Sequence, residues 1–426
     1  MRATIAVWLL CVAVCLTSTA AVRAQSYGIE LHNSLMPAAG AMGGVSIALP
    51  QDVTSAINGN PATVTQFDGT QVLFGGAWAE PTFKLTQTSQ LPILVPNPRI
   101  EPYSATSSAP GTPVGNIGVT QSLEAQGLPV TIGLGFVTTA GGLVDFRHVP
   151  ESNGTNSAIV IFSLPVAVGI ELTEHLSIGA GVAMGIAFFD GPFVGAGGMN
   201  ANYALRGTLG ANYELPMETN VGAYYQTRQA FQFDNAVVLN PGPDQVALDA
   251  NMDLPQNFGL GIANRSLAGG NLLLAADLIY KCWEDAALFK AIYNDQWVAQ
   301  FGAQYTQGRC RLRGGYAWGQ NPINPSPGSD FGGITQPGAL PVARYTQGLL
   351  AVTSEHRISF GIGLADLLPG IDMDLMAGGM FEDTEQLGLF TTTSIESYWI
   401  AVGLTWRFGS CHDACDTADC DTCAGW

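Results

Sequence analysis

After about residue 69, bulky apolar residues alternate along the chain with small or polar ones. Between 176 and 188 every even position holds Leu, Ile, Ala, Val, Met or Phe, and every odd position holds Ser, Gly or Ala. The segments 297–305 and 398–408 repeat this alternation, with aromatic residues on the bulky face. A period of two is typical of a strand whose two faces meet different surroundings. The pattern therefore predicts an all-β protein.

The face opposite the bulky residues decides between a soluble sandwich and a membrane barrel. A sandwich exposes that face to water and fills it with Lys, Glu, Thr and Ser, whereas here it is mostly Gly, Ala, Ser and Gln. Most segments reach the roughly ten residues that a tilted strand needs to cross a bilayer. We therefore expect an antiparallel up-and-down barrel in a membrane, with the bulky face toward lipid.

Counting such segments gives fourteen strands, an even number, as bacterial single-chain barrels have. They are 70–85, 113–122, 128–140, 156–170, 174–188, 200–214, 218–235, 244–265, 270–283, 295–306, 311–319, 344–364, 371–381 and 394–408. Short connections alternate with long ones such as 86–112, 321–343 and 382–393. Short turns on one rim and long loops on the other predict that both chain ends lie on the periplasmic side.

Charge and composition exclude several classes of protein. Charged residues make up only 12% of the 426 residues, against about 25% in a typical soluble domain. The formal net charge of -18 argues against nucleic acid as a partner. The sequence contains no phosphate-binding glycine loop and no nucleophile motif beside any of its five His, so we predict neither a catalytic residue nor a cofactor.

The two ends of the chain carry separate features. Residues 1–24 read as a signal peptide that ends near Val22-Arg23-Ala24, although a lipoprotein signal ending at Cys15 is an alternative. Such a signal implies export to an oxidising compartment. The tail 409–426 holds Cys411, Cys415, Cys420 and Cys423. Export favours two disulfides of undefined connectivity, with a metal-binding knot as the alternative; elsewhere we predict no metal site.

The segment before the first strand carries a set of motifs in a defined order. A run of small residues at 39–44 is followed by Asp52 and then by Asn60-Pro61-Ala62. Later segments that agree with the same pattern are 254–255, 283, 302–305 and 312–317. From about residue 25 to Phe408 the chain resembles the FadL-type transporters of long-chain fatty acids and hydrocarbons, which lie in the outer membrane of diderm bacteria.

The resemblance implies a division of the chain. Residues 25–68 would form a hatch inside the lumen and 69–408 the barrel. The tail 409–426 departs from the family, whose barrels commonly finish at a terminal aromatic residue, and we expect it to hang in the periplasm. The family captures a hydrophobic ligand at the extracellular loops, passes it to a lumen pocket beside the hatch and releases it sideways through the wall. The implied partners are hydrophobic small molecules and outer-membrane lipids, and we expect the barrel to act as a monomer.

Three groups of residues are candidates for function. Asn60, Pro61 and Ala62 would hold the hatch in place, although Asn-Pro is also an ordinary turn signal. Four charged residues on the lumen face would contact a polar ligand group or pair within the protein, namely Asp277, Lys281, Arg311 and Arg313. Apolar loop residues would receive cargo or pack on other loops, namely Leu91, Ile93, Leu94, Val95, Phe193 and Val194.

The leading hypothesis is passive uptake of hydrophobic compounds. A structural or adhesive barrel without transport activity is the first alternative, and a general hydrophilic porin is the second. A plugged barrel would conduct few ions in a planar bilayer, which distinguishes it from an open porin.

Overall fold

A computed structural model describes residues 29–92, 99–190, 199–239, 246–328, 330–331, 334–335, 340–351 and 353–408. Most of these residues lie in antiparallel β-strands. None of the described helices is long and apolar enough to cross a membrane. The signal peptide at 1–24 and the cysteine-rich tail at 409–426 both lie outside the described residues.

Fourteen strands form one closed barrel. In chain order they are β1 (Thr70–Gln87), β2 (Thr112–Ser122), β3 (Val130–Asp145), β4 (Asn156–Thr173), β5 (Leu176–Asp190), β6 (Asn200–Leu215), β7 (Thr219–Gln226), β8 (Asn257–Leu267), β9 (Leu272–Lys281), β10 (Gln296–Gln307), β11 (Cys310–Gly319), β12 (His356–Leu368), β13 (Ile371–Leu387) and β14 (Thr391–Phe408). Each strand pairs with the next, and β14 closes on β1 from Thr70–Phe408 to Gln87–Thr391. The predicted number of strands and the barrel are confirmed.

Two predicted strands, 218–235 and 244–265, each combine two separate elements. The barrel strand β7 ends at Gln226, and a hairpin of Gln229–Leu239 and Val246–Leu254 then forms its own two-stranded sheet. The chain returns to the barrel at Asn257, where β8 begins. The alternation continues through both elements, so periodicity alone could not reveal the break.

Arg206 holds the two ends of this hairpin at the barrel rim. Its guanidinium donates to the carbonyl of Thr227 at 2.9 Å and to that of Pro255 at 2.5 Å. The Thr227 hydroxyl also accepts from the Gly207 N–H at 2.9 Å, and Pro255 has no N–H to offer a neighbouring strand. The pairing of β7 with β8 therefore ends at Gln226 and Asn257, which are its last pair.

The predicted strand 344–364 is wrong in its first part, because a helix lies there. The helix α3 spans Leu340–Leu349, counting after α1 (Pro37–Gly40) and α2 (Val53–Asn58). Its buried residues include Val342, Tyr345 and Leu349, whose spacing of three and four is helical. The loop expected at 382–393 is also shorter, since β13 runs to Leu387 and β14 starts at Thr391.

The outside of the barrel is an apolar surface. Large side chains at every second strand position are exposed there, among them Phe74, Ile117, Leu134, Val182, Leu209, Leu260, Phe301, Phe360, Leu375 and Ile400. Tyr280 and Trp297 add an aromatic pair whose ring centroids are 4.7 Å apart. Continuous exposed apolar area on this scale is stable only in a membrane. The barrel is therefore a membrane-spanning one.

Residues 29–68, which we call the N-terminal segment, are almost completely buried although they belong to no barrel strand. The segment contains α1, α2 and the 3-10 helix Pro61–Gln66. Asp52 begins α2 by accepting from the Ser55 N–H at 2.8 Å, and Asn60 begins the 3-10 helix by accepting from the Ala62 N–H at 3.1 Å. Its contacts reach strands all round the barrel, which places it in the lumen.

Glycines on the inner face of the barrel make room for this segment. On each of eleven strands one inward glycine is so close to the segment that an added Cβ would come within 3.0 Å of a neighbouring atom. They are Gly118, Gly133, Gly169, Gly179, Gly210, Gly222, Gly261, Gly302, Gly315, Gly361 and Gly403. At Gly315 the obstacle is the backbone of Met42 and Gly43, which cannot turn aside as a flexible side chain could.

We predict that Gly315→Ala destabilises the barrel by about 1–3 kcal/mol, because an overpacked core must shift its backbone. Gly115→Ala on the outer face is the matched control, since its Cβ would meet only Phe136 at 3.9 Å. Urea unfolding in detergent would measure both variants, together with limited proteolysis of residues 29–68. Equal stability of the two variants would contradict the close fit.

Candidate functional site

The seam between β2 and β3 is incomplete. The two strands pair from Ser122–Thr131 up to Asn116–Val137, and there the ladder stops. Residues 138–145 of β3 continue toward the end of that strand at Asp145. They pair with β4 on one side but not with β2 on the other. At the top, the Ser108 N–H donates to the Asp145 carbonyl at 2.8 Å and closes the gap. The wall therefore contains a bounded window, which we call the β2–β3 window.

A bulge in β3 lies at this window. Thr138 pairs with Phe162 and Ala140 pairs with Ile161, so Thr139 is an extra residue on the β3 side. A bulge bends its strand and increases the local twist. The upper half of β3 can thereby leave the direction of β2, which accounts for the end of the ladder.

The first described residues of the N-terminal segment occupy the free edge of β3. The Leu31 N–H donates to the Thr139 carbonyl and the Gly141 N–H donates to the Ile29 carbonyl, each at 2.9 Å. Glu30 and Ala140 thus form an antiparallel bridge. We call Ile29–Leu31 the strap, because it crosses the window where β2 is missing.

Glu30 anchors the strap to the far side of the lumen. Its carboxylate accepts from Arg206 Nη1 at 2.7 Å and from Asn257 Nδ2 at 3.1 Å. Lys281 Nζ lies 3.7 Å and His32 Nε2 3.6 Å from the same carboxylate. All of these side chains are buried or nearly so. Buried charges require partners of this kind, so the cluster depends on Glu30 remaining in place.

The window is closed in this structure. Ile29 packs in one apolar cluster with Ile159, and Leu31 packs in another with Val114 and Val144. Beside the strap a cavity of about 30 Å³ remains between Glu30, the bulge and Arg206. A space of that size holds a water molecule or two, not a hydrocarbon.

Aromatic side chains fill the half of the lumen on the side of the long loops. The ring centroids of Trp283 and Phe289 are 4.9 Å apart, those of Phe289 and Tyr293 are 5.5 Å apart, and those of Phe189 and Phe233 are 5.2 Å apart. These residues come from β5, from the hairpin after β7 and from the loop after β9. The lumen above the N-terminal segment therefore contains a packed apolar cluster contributed largely by loops.

The helix α3 closes the mouth of the lumen on the side of the long loops. The Tyr345 hydroxyl lies 2.6 Å from that of Tyr103 and donates to Thr155 Oγ1 at 3.1 Å. These contacts join α3 to the connections before β2 and before β4. Burial raises the pKa of Tyr345 to about 12, so the hydroxyl stays protonated. Gln347 donates to the carbonyls of Ile292 and Asn324. Both ends of the lumen are thus occupied by protein.

Asn60, Pro61 and Ala62 lie at the contact between the N-terminal segment and the wall. Asn60 Nδ2 donates to the Ile47 carbonyl at 2.8 Å and to the Ala211 carbonyl of β6 at 3.0 Å. Pro61 lies against Gly179 of β5. Asn60 and Pro61 therefore both begin the 3-10 helix and hold the N-terminal segment against the barrel wall.

The four predicted lumen charges are all engaged by protein groups. Asp277 accepts from the N–H groups of Ser46 and Ile47 at 2.6 and 3.0 Å. Lys281 lies near Glu30, as described above. Arg311 pairs with Asp372 at 3.2 Å, and Arg313 pairs with Asp374 and with Gln304. A role for these charges in ligand contact remains a prediction.

The predicted loop residues are only partly described. Leu91 is buried and pairs with Ile100 in a short two-stranded ladder. Ile93, Leu94, Val95, Phe193 and Val194 lie outside the described residues, as do Cys411, Cys415, Cys420 and Cys423. Within the described ranges, no three His, Cys, Asp or Glu residues come together as a metal site would require.

The sequence analysis missed Glu30 and Arg206. Glu30 is one of only three acidic residues in the N-terminal segment, with Asp52 and Asp68. A carboxylate in a segment expected to be buried requires a cationic or hydrogen-bonding partner, so the sequence did indicate that Glu30 would be paired. Nothing in the sequence shows which of the barrel cations that partner is.

Fold and site together define a membrane-spanning, fourteen-stranded barrel whose N-terminal segment fills the lumen and crosses a gap in the wall. Solved structures with this fold include the toluene transporter TodX of Pseudomonas putida, at 17% identity and a TM-score of 0.64 over 90% of this chain and 99% of that one. A FadL homologue of Pseudomonas aeruginosa is 14% identical, with a TM-score of 0.63 over 90% and 100% of the two chains. The toluene transporter TbuX of Ralstonia pickettii is 16% identical, with a TM-score of 0.56 over 89% and 99%.

The fold is thus that of the FadL and TodX channels. Two of these three proteins are named as transporters, and none is named as an enzyme. At such low identity the likeness shows the fold alone. No protein-family model and no curated protein sequence matches the chain.

We predict that Asp277→Ala loosens the N-terminal segment, because the N–H groups of Ser46 and Ile47 lose their acceptor. Each buried N–H left unpaired costs about 1–3 kcal/mol. Asp277→Asn keeps one acceptor oxygen and should have a smaller effect. In planar-bilayer recordings, Asp277→Ala should raise the ion leak of the barrel above that of the wild type, and by more than Asp277→Asn does. Equal leaks in both variants and the wild type would contradict this role of Asp277.

Proposed function

We propose that the protein is a passive outer-membrane channel for the uptake of hydrophobic compounds, such as hydrocarbons or long-chain fatty acids. Cargo enters through the extracellular loops, moves along the apolar upper lumen and leaves sideways through the β2–β3 window. The single observation that carries this proposal is the window itself. In the described wall, the backbone ladder between β2 and β3 ends at Asn116–Val137, and residues 138–145 of β3 have no register partner in β2.

The N-terminal segment supports a sideways exit. It blocks the axis of the barrel at the height where inward glycines fit closely against its backbone. A route straight through would require removal of this whole segment, whereas a route through the window requires only that the strap move. We therefore assign residues 25–68 the role of a hatch, with Asn60, Pro61 and Ala62 fixing it to the wall.

The lining of the upper lumen supports a hydrophobic cargo. Aromatic and aliphatic side chains, many of them from the loops, pack into apolar clusters above the hatch. A greasy molecule that passes from this surface into the lipid avoids water, at about 25 cal/mol per Å² of apolar area. The names of two structural neighbours, both toluene transporters, agree with cargo of this class.

Removal of the bulge tests the window as the exit. We predict that deletion of Thr139 restores a regular β3, closes the window and reduces toluene uptake to the level of cells lacking the protein. Deletion of Leu172, an extra residue in β4 near the short turn to β5, is the matched control and should leave uptake unchanged. Normal uptake by the Thr139 deletion would rule out the window.

The alternatives give different results in simpler assays. We expect that cells lacking the protein take up toluene or oleate more slowly, and that the purified barrel shows little steady ion current. A large steady current would indicate a general porin. Unchanged uptake across a panel of fatty acids and aromatic hydrocarbons would favour a structural or adhesive barrel.

A further inference from the structure

We infer that Glu30 is the latch of the channel: its ion pair with Arg206 and Lys281 holds the strap on β3, and its release opens the β2–β3 window. The inference rests on the proposed lateral exit and identifies the residues that control it. It assigns a positioning role to three side chains, one on the strap and two on the opposite wall.

The backbone contacts of the strap are too few to hold it. Only two hydrogen bonds, Leu31 to Thr139 and Gly141 to Ile29, join it to β3. A segment with so few bonds opens locally at low cost in free energy. The carboxylate of Glu30, by contrast, accepts a charged hydrogen bond from Arg206 in a buried site, where such bonds are strong, and lies 3.7 Å from the ammonium of Lys281. The side chain, more than the backbone, determines whether the strap stays in place.

The two cations tolerate the departure of Glu30 to different extents. Arg206 keeps its bonds to the carbonyls of Thr227 and Pro255 when the carboxylate leaves. Lys281 Nζ is fully buried and 3.7 Å from Glu30, too far for a direct hydrogen bond. Departure of Glu30 therefore leaves Arg206 hydrogen-bonded but deprives the buried charge of Lys281 of its counter-ion, and this cost holds the strap in place at rest.

Alternation along the strap links the latch to the window. Ile29 and Leu31 lie on one side of the strap and Glu30 lies on the other, as successive residues of a strand do. Glu30 reaches into the lumen, while its two neighbours pack in the apolar clusters that border the window. Loss of the ion pair would free all three residues together, because they are consecutive.

Hydrogen exchange tests the latch without reference to any cargo. In the full chain purified in detergent, Glu30→Gln should make the amides of Leu31 and Gly141 exchange about tenfold faster or more, since a charged hydrogen bond is lost. Lys281→Gln should have a smaller effect in the same direction. Asp374→Asn, which breaks the buried pair with Arg313, is the control and should leave these two amides unchanged.

A reversible lock tests the consequence for transport. Glu30 and Ala140 are a non-hydrogen-bonded pair, with Cα atoms expected about 4.5 Å apart, within the range for a disulfide. We predict that Glu30→Cys with Ala140→Cys, in a chain whose other cysteines are replaced by alanine, blocks toluene uptake when oxidised and recovers it when reduced. Glu30→Cys alone should not respond to oxidant.

The outcomes separate the latch from the proposed function. Wild-type exchange rates in a correctly folded Glu30→Gln variant, checked by heat-modifiable migration on gels, would overturn the latch. Faster exchange together with uptake that persists through the oxidised lock would overturn the lateral exit and leave the latch standing. Faster exchange and a blocked lock are the results that we expect.

Discussion

Backbone hydrogen bonding at membrane depth is the constraint on which this structure depends. In hydrocarbon, an unpaired N–H or C=O costs several kcal/mol, so a barrel must pair every strand edge. The ladder between β2 and β3 stops at Asn116–Val137, and the strap takes over part of the free edge. The wall is therefore completed by a segment that is not one of its strands. Such a segment can move without dismantling the barrel.

The same constraint explains why the lumen is filled as it is. A segment that must reach the wall from inside needs a support, and the inward glycines let the N-terminal segment lie directly against the barrel. The 52 glycines of the chain are in part a consequence of this fit. Apolar loops then cover the upper lumen, where the aromatic residues around Trp283 and Phe289 meet. Small apolar clusters and buried polar residues both pack around residues 29–68, whereas aromatic and aliphatic side chains dominate above them.

Much of the fold could be predicted from the sequence, because a strand between lipid and lumen has two very different faces. Alternation predicted fourteen strands and their order. It failed at 218–235, 244–265 and 344–364, where hairpin and helix residues are buried by loops, not by the bilayer. Alternation does not distinguish a barrel strand from a loop strand. The spacing of Val342, Tyr345 and Leu349 did carry the helical signal.

The candidate site could be predicted only in part. Lys281 was recognised as a lumen charge from its place on β9, and Asn60 from its motif. Their partners depend on the path of the chain through the lumen, which has no periodic signal. Glu30 meets Arg206 across 176 residues of sequence, and only the folded barrel brings them together. The bulge at Thr139 could not be predicted either, since one extra residue leaves the alternation of bulky and small residues almost unchanged.

The position of a bound cargo analogue in the protein would test whether cargo leaves through the β2–β3 window. Crystals of the full chain grown with 4-bromotoluene would reveal the bromine by its anomalous signal. We expect bromine in the apolar upper lumen and at the β2–β3 window, with Ile29–Leu31 displaced from β3. Bromine along the barrel axis through residues 29–68, with the strap still paired to Thr139 and Gly141, would contradict an exit through the window.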